Sequence, residues 1–327
     1  MILAGDIGGT NTRLAFLEER GGRLTPVAEG RFASREHASL EAVLGKFIAS
    51  HPLPITCSCF GIAGPVRHGR CDATNLPWLV DSNLVAHELG LGRVGLINDL
   101  EANAWGIAVL EAADFAVLNE GSSDASGNAA IISAGTGLGE AVLYWDGKQH
   151  RPFASEGGHA DFAPRTELEI ELLRHLLTQH RRVSYERLVS GPGLLNIYRF
   201  LRDTGHAKEP AWLAEKMRRQ DPSAVISQEA LANTTPLCAQ ALDLFVSIYG
   251  AEAGNLALKV MATGGVFLGG GIAPKILPKL QASTFLEAYT TKGRMSPLVQ
   301  SMPVRVILND KTALLGAARF ATLCAPE

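Results

Sequence analysis

Apolar residues in this chain come first as short runs broken by glycine and threonine, and later as stripes at helical spacing. Ile2 to Leu17, ILAGDIGGTNTRLAFL, sets a compact Gly, Thr and Asn turn between two apolar runs, which predicts strand, tight turn, strand. A third strand is expected from Leu24 to Phe32. Leu40, Val43, Leu44 and Phe47 then mark one face of a helix over Leu40 to Ser50, which Pro52 and Pro54 stop. Thr56 to Ile62 reads as the next strand, and Gly61 to Pro65, GIAGP, turns the backbone out of the sheet. Beyond the polar loop Asp72 to Trp78, a short helix over Ser82 to Leu89 is started by Asp81 or Ser82, and Val94 to Ile97 is another strand. That strand runs directly into Asn98-Asp99, after which Leu100, Ala104, Ile107 and Ala108 fall along one helical face.

The second half repeats the opening motif. Ala129 to Leu143, AAIISAGTGLGEAVL, again runs apolar segment, Gly/Thr turn, apolar segment, which suggests two related lobes. A polar loop, SEGGHADFAPR from Ser155 to Arg165, precedes an amphipathic helix over Thr166 to His180 with Leu168, Leu172, Leu173, Leu176 and Leu177 as its stripe. Helical stretches alternate with polar patches from Leu194 to Gln240, and a long helix covers Leu237 to Lys259. Gly264 to Pro274, GGVFLGGGIAP, is a short apolar strand ending in three glycines. Val304 to Leu308 makes a last strand, and Lys311 to Leu323 a closing helix.

Chemistry gathers at these turns. Gly8 and Gly9 permit backbone angles that let consecutive amides converge on an anion, with the Thr10 and Thr12 hydroxyls assisting. Asp6 ends the first run, where a carboxylate repels phosphate unless a cation lies between, so it is the candidate for magnesium held through water. One such turn alone is also an ordinary glycine-rich hairpin; the copy at Gly135-Thr136-Gly137 is what allows two sets of amides to grip one polyphosphate. Asp99 is delivered at a strand-to-helix junction, where open α/β sheets gather ligands. A helix N-cap accounts for that one carboxylate, but not for Asn98 before it or for the two turns. The bare backbone at Gly269, Gly270 and Gly271 suits a flat adenine ring and its ribose.

Composition narrows the classes. The 327 residues suit two domains, with 46% hydrophobic residues to fill both cores. Lys+Arg 30 against Asp+Glu 33, net −3 without long single-sign runs, favours neither nucleic acid nor an anionic membrane. With no basic leader and no apolar run near the ~20 residues of a membrane span, the expected compartment is the cytoplasm. Cys57, Cys59, Cys71, Cys238 and Cys324 are odd in number and lack framework spacing. Alternation puts Cys57 and Cys59 on one strand face as buried thiols rather than half a zinc site.

With these parts placed, the sequence resembles the bacterial glucokinase family, in the sugar-kinase branch of the hexokinase, actin and Hsp70 superfamily. The resemblance rests on LAGDIGGTNTR, CFGIAGP, TNLPW, LINDLEANAWG, SAGTGLGEA, SEGGHADF, the Glu186 segment and GGVFLGGGIAP, in the family's order. It implies an α/β, two-lobed actin-like ATPase (ribonuclease H-like) fold with a cleft between the lobes. The small domain is expected at 1–110, with 304–327 packing back on it, and the large domain at 111–303. It further implies glucose held by Asn98, Asp99, Glu156, His159 and Glu186, and Asp99 as general base toward the primary hydroxyl. The nucleotide side implied comprises Asp6, Gly8, Gly9, Thr10, Asn11, Thr12, Arg13, Ser133, Gly135, Thr136, Gly137, Gly269, Gly270 and Gly271, with ATP and Mg2+ bound and no zinc. Glu156 and His159 are separated by two glycines, so both side chains can reach one pocket, and no third ligand turns them into a metal site. A homodimer is the implied assembly.

Other readings fit less well. A sugar-sensing repressor places a DNA-binding helix pair ahead of the first turn, where this chain starts its strand at Ile2. An actin- or Hsp70-like ATPase does not need EGGH together with Asp99. The chain has no G-x-x-x-x-G-K-[ST] of a P-loop kinase, and Gly135 to Gly139 lacks the dinucleotide spacing. A kinase for fructose, mannose or an N-acetylated sugar stays open, because the choice depends on ring stereochemistry at Glu156, His159 and Glu186.

Overall fold

The opening pattern becomes a hairpin in the computed structural model, which describes residues 1–73 and 76–323. Strand β1 (Ile2–Ile7) pairs antiparallel with β2 (Asn11–Arg20), Ile7 opposite Thr12, and β3 (Arg23–Ala33) continues the meander. Helix α1 (Leu40–Ser50) is capped by Ser39 and leads through the proline stretch to β4 (Cys57–Ile62). The polar loop that follows belongs to a small two-stranded ribbon, β5 (Arg70–Asp72) with β6 (Leu79–Asp81), and Asp81 caps α2 (Ser82–Glu88). Thr74 and Asn75 of the expected TNLPW loop lie outside the described residues, as does Cys324. Strand β7 (Val94–Asn98) then feeds α3 (Asp99–Ile107).

The chain falls into two units: Met1–Asp114 with Arg151–Ala154 and the C-terminal stretch from Asn309, and Phe115–His150 with Ser155–Leu308. In the first unit the sheet order is β3-β2-β1-β4-β7, with β1, β4 and β7 parallel. Successive side chains on a strand point to opposite faces. Leu3 and Ile7 therefore join Phe16, Leu44 and Phe47 on one side, where the Phe16 and Phe47 rings stack at 5.2 Å. Ile2 and Ala4 join Cys59, Ile97 and Ala102 on the other, under the helix Thr312–Leu323. That helix crosses α3 with backbones in contact, since a Cβ at Gly316 would lie 1.7 Å from the Ala102 carbonyl oxygen and one at Gly106 would lie 2.1 Å from that of Thr312.

The six-stranded sheet has the order β11-β10-β9-β12-β13-β8, and the second unit holds all of it but Arg151–Ala154 of β11. Its strands are β8 (Phe115–Asn119), β9 (Ala129–Ala134), β10 (Leu138–Trp145), β11 (His150–Ser155), β12 (Gly265–Gly269) and β13 (Val304–Ile307). β9, β12 and β13 are parallel; β10 and β8 run against them. Val304–Ile307 is thus a strand of the second sheet and not, as the sequence reading had it, part of a segment packing on the first unit; its Val304 and Val306 side chains are buried in the second core. Helices α5 (Gly191–Asp203) and α7 (Pro222–Leu231) pack on α8 (Pro236–Val260), with α4 (Glu167–Leu177) against α5 and α6 (Ala211–Arg219) against α7; α8 starts at a Thr235 cap and ends at Met261 in the left-handed region. No helix among the described residues is long and apolar enough to cross a membrane.

Candidate active site

In the first unit the parallel register brings three loops to one sheet edge. Ile7 pairs with Ile62 and Ile62 with Asn98, so the Gly8–Asn11 turn, the chain after Ile62, and the Asn98-Asp99 junction all leave the sheet at its carboxyl end. Asn98 is the cap of α3: its Oδ1 accepts from the Leu100 and Glu101 amides at 2.9 and 3.3 Å, while Nδ2 donates to the Gly64 carbonyl at 3.0 Å. Asp99 sits one residue later, half-buried, with Oδ1 accepting from the Leu100 amide at 2.9 Å. Asp6, on the same strand face as Ile2 and Ala4, lies near enough to feel the Asp99 charge. Burial and that charge push its carboxyl up to about 6; the Arg13 guanidinium opposes the shift and Asp310 adds to it.

Parts of the expected anion turn are already occupied by the fold. The Gly8 amide donates to the Asn11 carbonyl at 3.0 Å and closes the turn. Among the described residues the Gly9 and Thr10 amides at its tip donate to no backbone carbonyl. Thr12, expected to assist an anion, is fully buried; its hydroxyl lies 3.0 Å from that of Ser34, which donates to the Gly8 carbonyl at 2.7 Å. Thr12 therefore braces the turn from behind, because alternation from the outward Asn11 points it into the core. Asn11 accepts from Arg31 at 3.2 Å, and Arg13 is held by the Asp310 carbonyl and carboxylate at 2.8 Å each. Ser34 and Asp310 went unnoticed in the sequence, since only the strand pairing and the returning C-terminal segment bring them near.

In the second unit Glu156, His159 and Glu186 converge. His159 Nε2 lies 3.9 Å from Glu156 Oε2, and Nδ1 lies 3.8 Å from Glu186 Oε1. Glu186 is anchored by its other oxygen, which accepts from the Leu138 amide at 3.0 Å. His159 and Glu156 stay largely open to solvent, side chains 53% and 75% exposed, as groups awaiting a polar ligand do. Beside them, Gly135 and Gly137 close the second Gly/Thr turn, and the Gly191 amide at the start of α5 donates to the Gly135 carbonyl at 2.8 Å. Gly269 pairs with Ser133, and the Ile272 amide donates to the Ala134 carbonyl, which brings the three-glycine turn alongside the Gly/Thr turn at the carboxyl ends of β9 and β12. Gly270 takes φ +80 and would clash with the Ala134 carbonyl if it carried a Cβ, whereas Gly271 faces open space.

The described residues include no group of three or more His, Cys, Asp or Glu placed to hold a metal ion directly. A carboxylate reaching a cation through water, as expected of Asp6, does not require such a group.

Two α/β units, each ending parallel strands in a glycine-threonine turn, with carboxylates at the strand ends, define a sugar kinase of the actin-like two-lobed fold. Glucokinase from an Antarctic psychrotroph superposes with a TM-score of 0.87 at 30% identity over 98% of each chain. A ROK family glucokinase from Streptomyces griseus, solved in complex with glucose and AMPPNP, shares the fold at a TM-score of 0.67 and 21% identity, over 98% of this chain and 99% of its own. The family model described as Glucokinase matches residues 3–323. Glucokinase from Nostoc sp. is 44% identical over 99% of this chain and 98% of its own length, and that of Yersinia pestis 36% identical over 97% and 95%. The chain belongs to the glucokinase family, and it is an enzyme with that family's activity, the ATP-dependent phosphorylation of glucose.

Proposed function

We propose that Asp99 accepts the proton of the glucose 6-hydroxyl as that oxygen attacks the γ-phosphorus of ATP, giving glucose 6-phosphate and ADP. The observation that carries this reading is the division of labour at the junction: Asn98 caps α3, and Asp99 follows it at the carboxyl end of β7. Glu156, His159 and Glu186, together with the remaining N–H of Asn98, bind the sugar's hydroxyls. The convergence of Glu156, His159 and Glu186 supports that role, and a ligand lacking one hydroxyl leaves a polar group unpaired.

On the nucleotide side, the Gly9 and Thr10 amides and those around Thr136 face the phosphates, with Gly269 to Gly271 under the adenine and ribose. Asp6 suits a hydrated magnesium ion, because a cation there offsets the burial and the Asp99 charge that raise its carboxyl. Magnesium, when bound, neutralises charge on the phosphates. Arg13, Asn11 and Thr12 hold the turn in shape rather than touch the nucleotide. We assign the enzyme to the cytoplasm as a homodimer, which sedimentation of the purified chain checks.

A coupled assay with ATP and magnesium across glucose, fructose, mannose and N-acetylglucosamine tests the substrate assignment. Glucose is expected to have the highest kcat/KM. A higher value for another hexose would move the specificity to that sugar, and ADP release indifferent to sugar would end the kinase reading.

A further inference from the structure

One buried acid has no part in the roles above. Glu140 stands on β10 with only 1% of its surface exposed, and its Oε1 has no hydrogen-bond partner among the described residues. Its other oxygen lies against Gly157, so closely that a Cβ on that glycine would come within 2.1 Å of it. The rest of the loop is tied to the same strand. Ser155 Oγ donates to the Glu140 carbonyl at 2.9 Å and accepts from the Gly157 amide at 3.2 Å, while Gly158 sits on the Leu138 carbonyl. Leu138 also holds Glu186 through its amide.

Glu252 and Lys259, whose charges act on Glu140, belong to a polar cluster that reaches the second sugar-side arm. Glu252 of α8, fully buried, accepts from Lys259 at 3.1 Å and from Asn255 at 2.8 Å. Asn255 also donates to the Tyr185 hydroxyl at 3.1 Å, and its carbonyl oxygen accepts from Lys292 at 2.6 Å. Tyr185 immediately precedes Glu186. One arm that presents sugar-binding groups therefore rests on β10 through Glu140 beneath the Gly157–Gly158 turn, and the other is held to β10 through the Leu138 amide and to the buried cluster through Tyr185.

We propose that Glu140 is a positioning residue for the sugar side: its buried side chain is the floor on which the Gly157–Gly158 turn rests, and it sets where Glu156 and His159 present themselves. This rests on the reading that Glu156 and His159 contact glucose. A side chain held by packing keeps the groups above it within the tolerance a hydroxyl-binding site requires, and a displacement of about 1 Å is enough to weaken it severely. Removing the floor lets the turn sink into the space vacated.

The test uses Glu140→Ala and Glu140→Gln in the full chain, with KM for glucose, KM for ATP and kcat measured separately and hydrogen exchange followed in the segment 155–162. Glu140→Ala is expected to raise KM for glucose about tenfold, to leave KM for ATP within about twofold, and to speed exchange at Gly157 to His159. Glu140→Gln, which keeps the volume, is expected to restore both readouts. An unchanged KM for glucose in a less stable Glu140→Ala protein would reduce the residue to ordinary packing and overturn the proposal, as would an equal rise in both KM values. If Glu140→Ala does not fold, Gly157→Ala presses on the carboxyl from the other side and is expected to raise KM for glucose alone; wild-type values there overturn the proposal too. Glu156→Gln and His159→Ala separate the two failures. If neither alters KM for glucose, the sugar reading falls; if they do and Glu140→Ala does not, only the positioning role falls.

Discussion

The two Gly/Thr turns look alike in sequence and are held in different ways. In the first unit the brace is neutral, with Thr12, Ser34 and the Gly8 carbonyl in a chain of hydroxyls and Asn98 latching the neighbouring turn through Gly64. In the second the brace is charged: Glu186 holds the Leu138 amide just past the turn, above the buried Glu140 and Glu252. In the first unit burial, and then the Asp99 charge, push the Asp6 carboxyl up. In the second, Glu186 is anchored by the Leu138 amide while Glu156 stays open to solvent.

The largest effect expected from this contrast is on turnover. Asp99→Ala should lower kcat by about 10²–10⁴-fold while glucose binding, followed by equilibrium titration, persists. An unchanged kcat would remove Asp99 from the chemistry and leave the first unit with no reactive acid of its own.

A pH titration of stability probes the second unit. Burial, with the Glu252 charge nearby, pushes the Glu140 carboxyl up to about 7, against the pull of Lys259. The folded protein binds that proton more tightly than the unfolded chain does. Its stabilisation is therefore complete below the ordinary carboxylate range and drains away as pH rises from about 4.5 to 7. Glu140→Gln should abolish that loss and be more stable than wild type at pH 8 by on the order of 1–3 kcal/mol, read by denaturant midpoints. A parallel pH dependence in both proteins would show that the carboxyl is not the source.

Sugar affinity comes next in size. Glu156→Gln should raise KM for glucose about tenfold and leave KM for ATP unchanged, because it weakens a charge-assisted bond without opening a cavity. A collapse of ATP affinity instead would exchange the roles given to the two sets of residues.

The smallest effect sharpens the difference between the braces. Thr12→Val removes one hydroxyl from the chain behind the first turn and should cost about 1 kcal/mol of stability with KM for ATP little altered. A large rise in that KM would return Thr12 to the phosphate, as the motif by itself suggests.

Local signals carried far in this chain. The hairpin, α1, α4 and the long α8 were all legible because the apolar period, and for α1 the prolines after it, agree with the structure there. So was the delivery of Asp99 at a strand end. At that junction the backbone path gives the cap to Asn98, not to Asp99. Strand β8 escaped notice, since FAVLN is short and its register depends on a partner, β13, nearly two hundred residues away.

Residue types, their spacing and their order along the chain sufficed to identify the family and its chemistry, because turns, caps and motif glycines are short-range demands on a backbone. Which sheet Val304–Ile307 joins, that the Thr12 hydroxyl turns inward to Ser34, that Arg13 is held by Asp310, and that Glu140 lies beneath Gly157 were decided by tertiary structure. Each of these depends on packing between segments distant in sequence or on the way a strand face happens to point, and burial, not composition, then sets what a polar group can do.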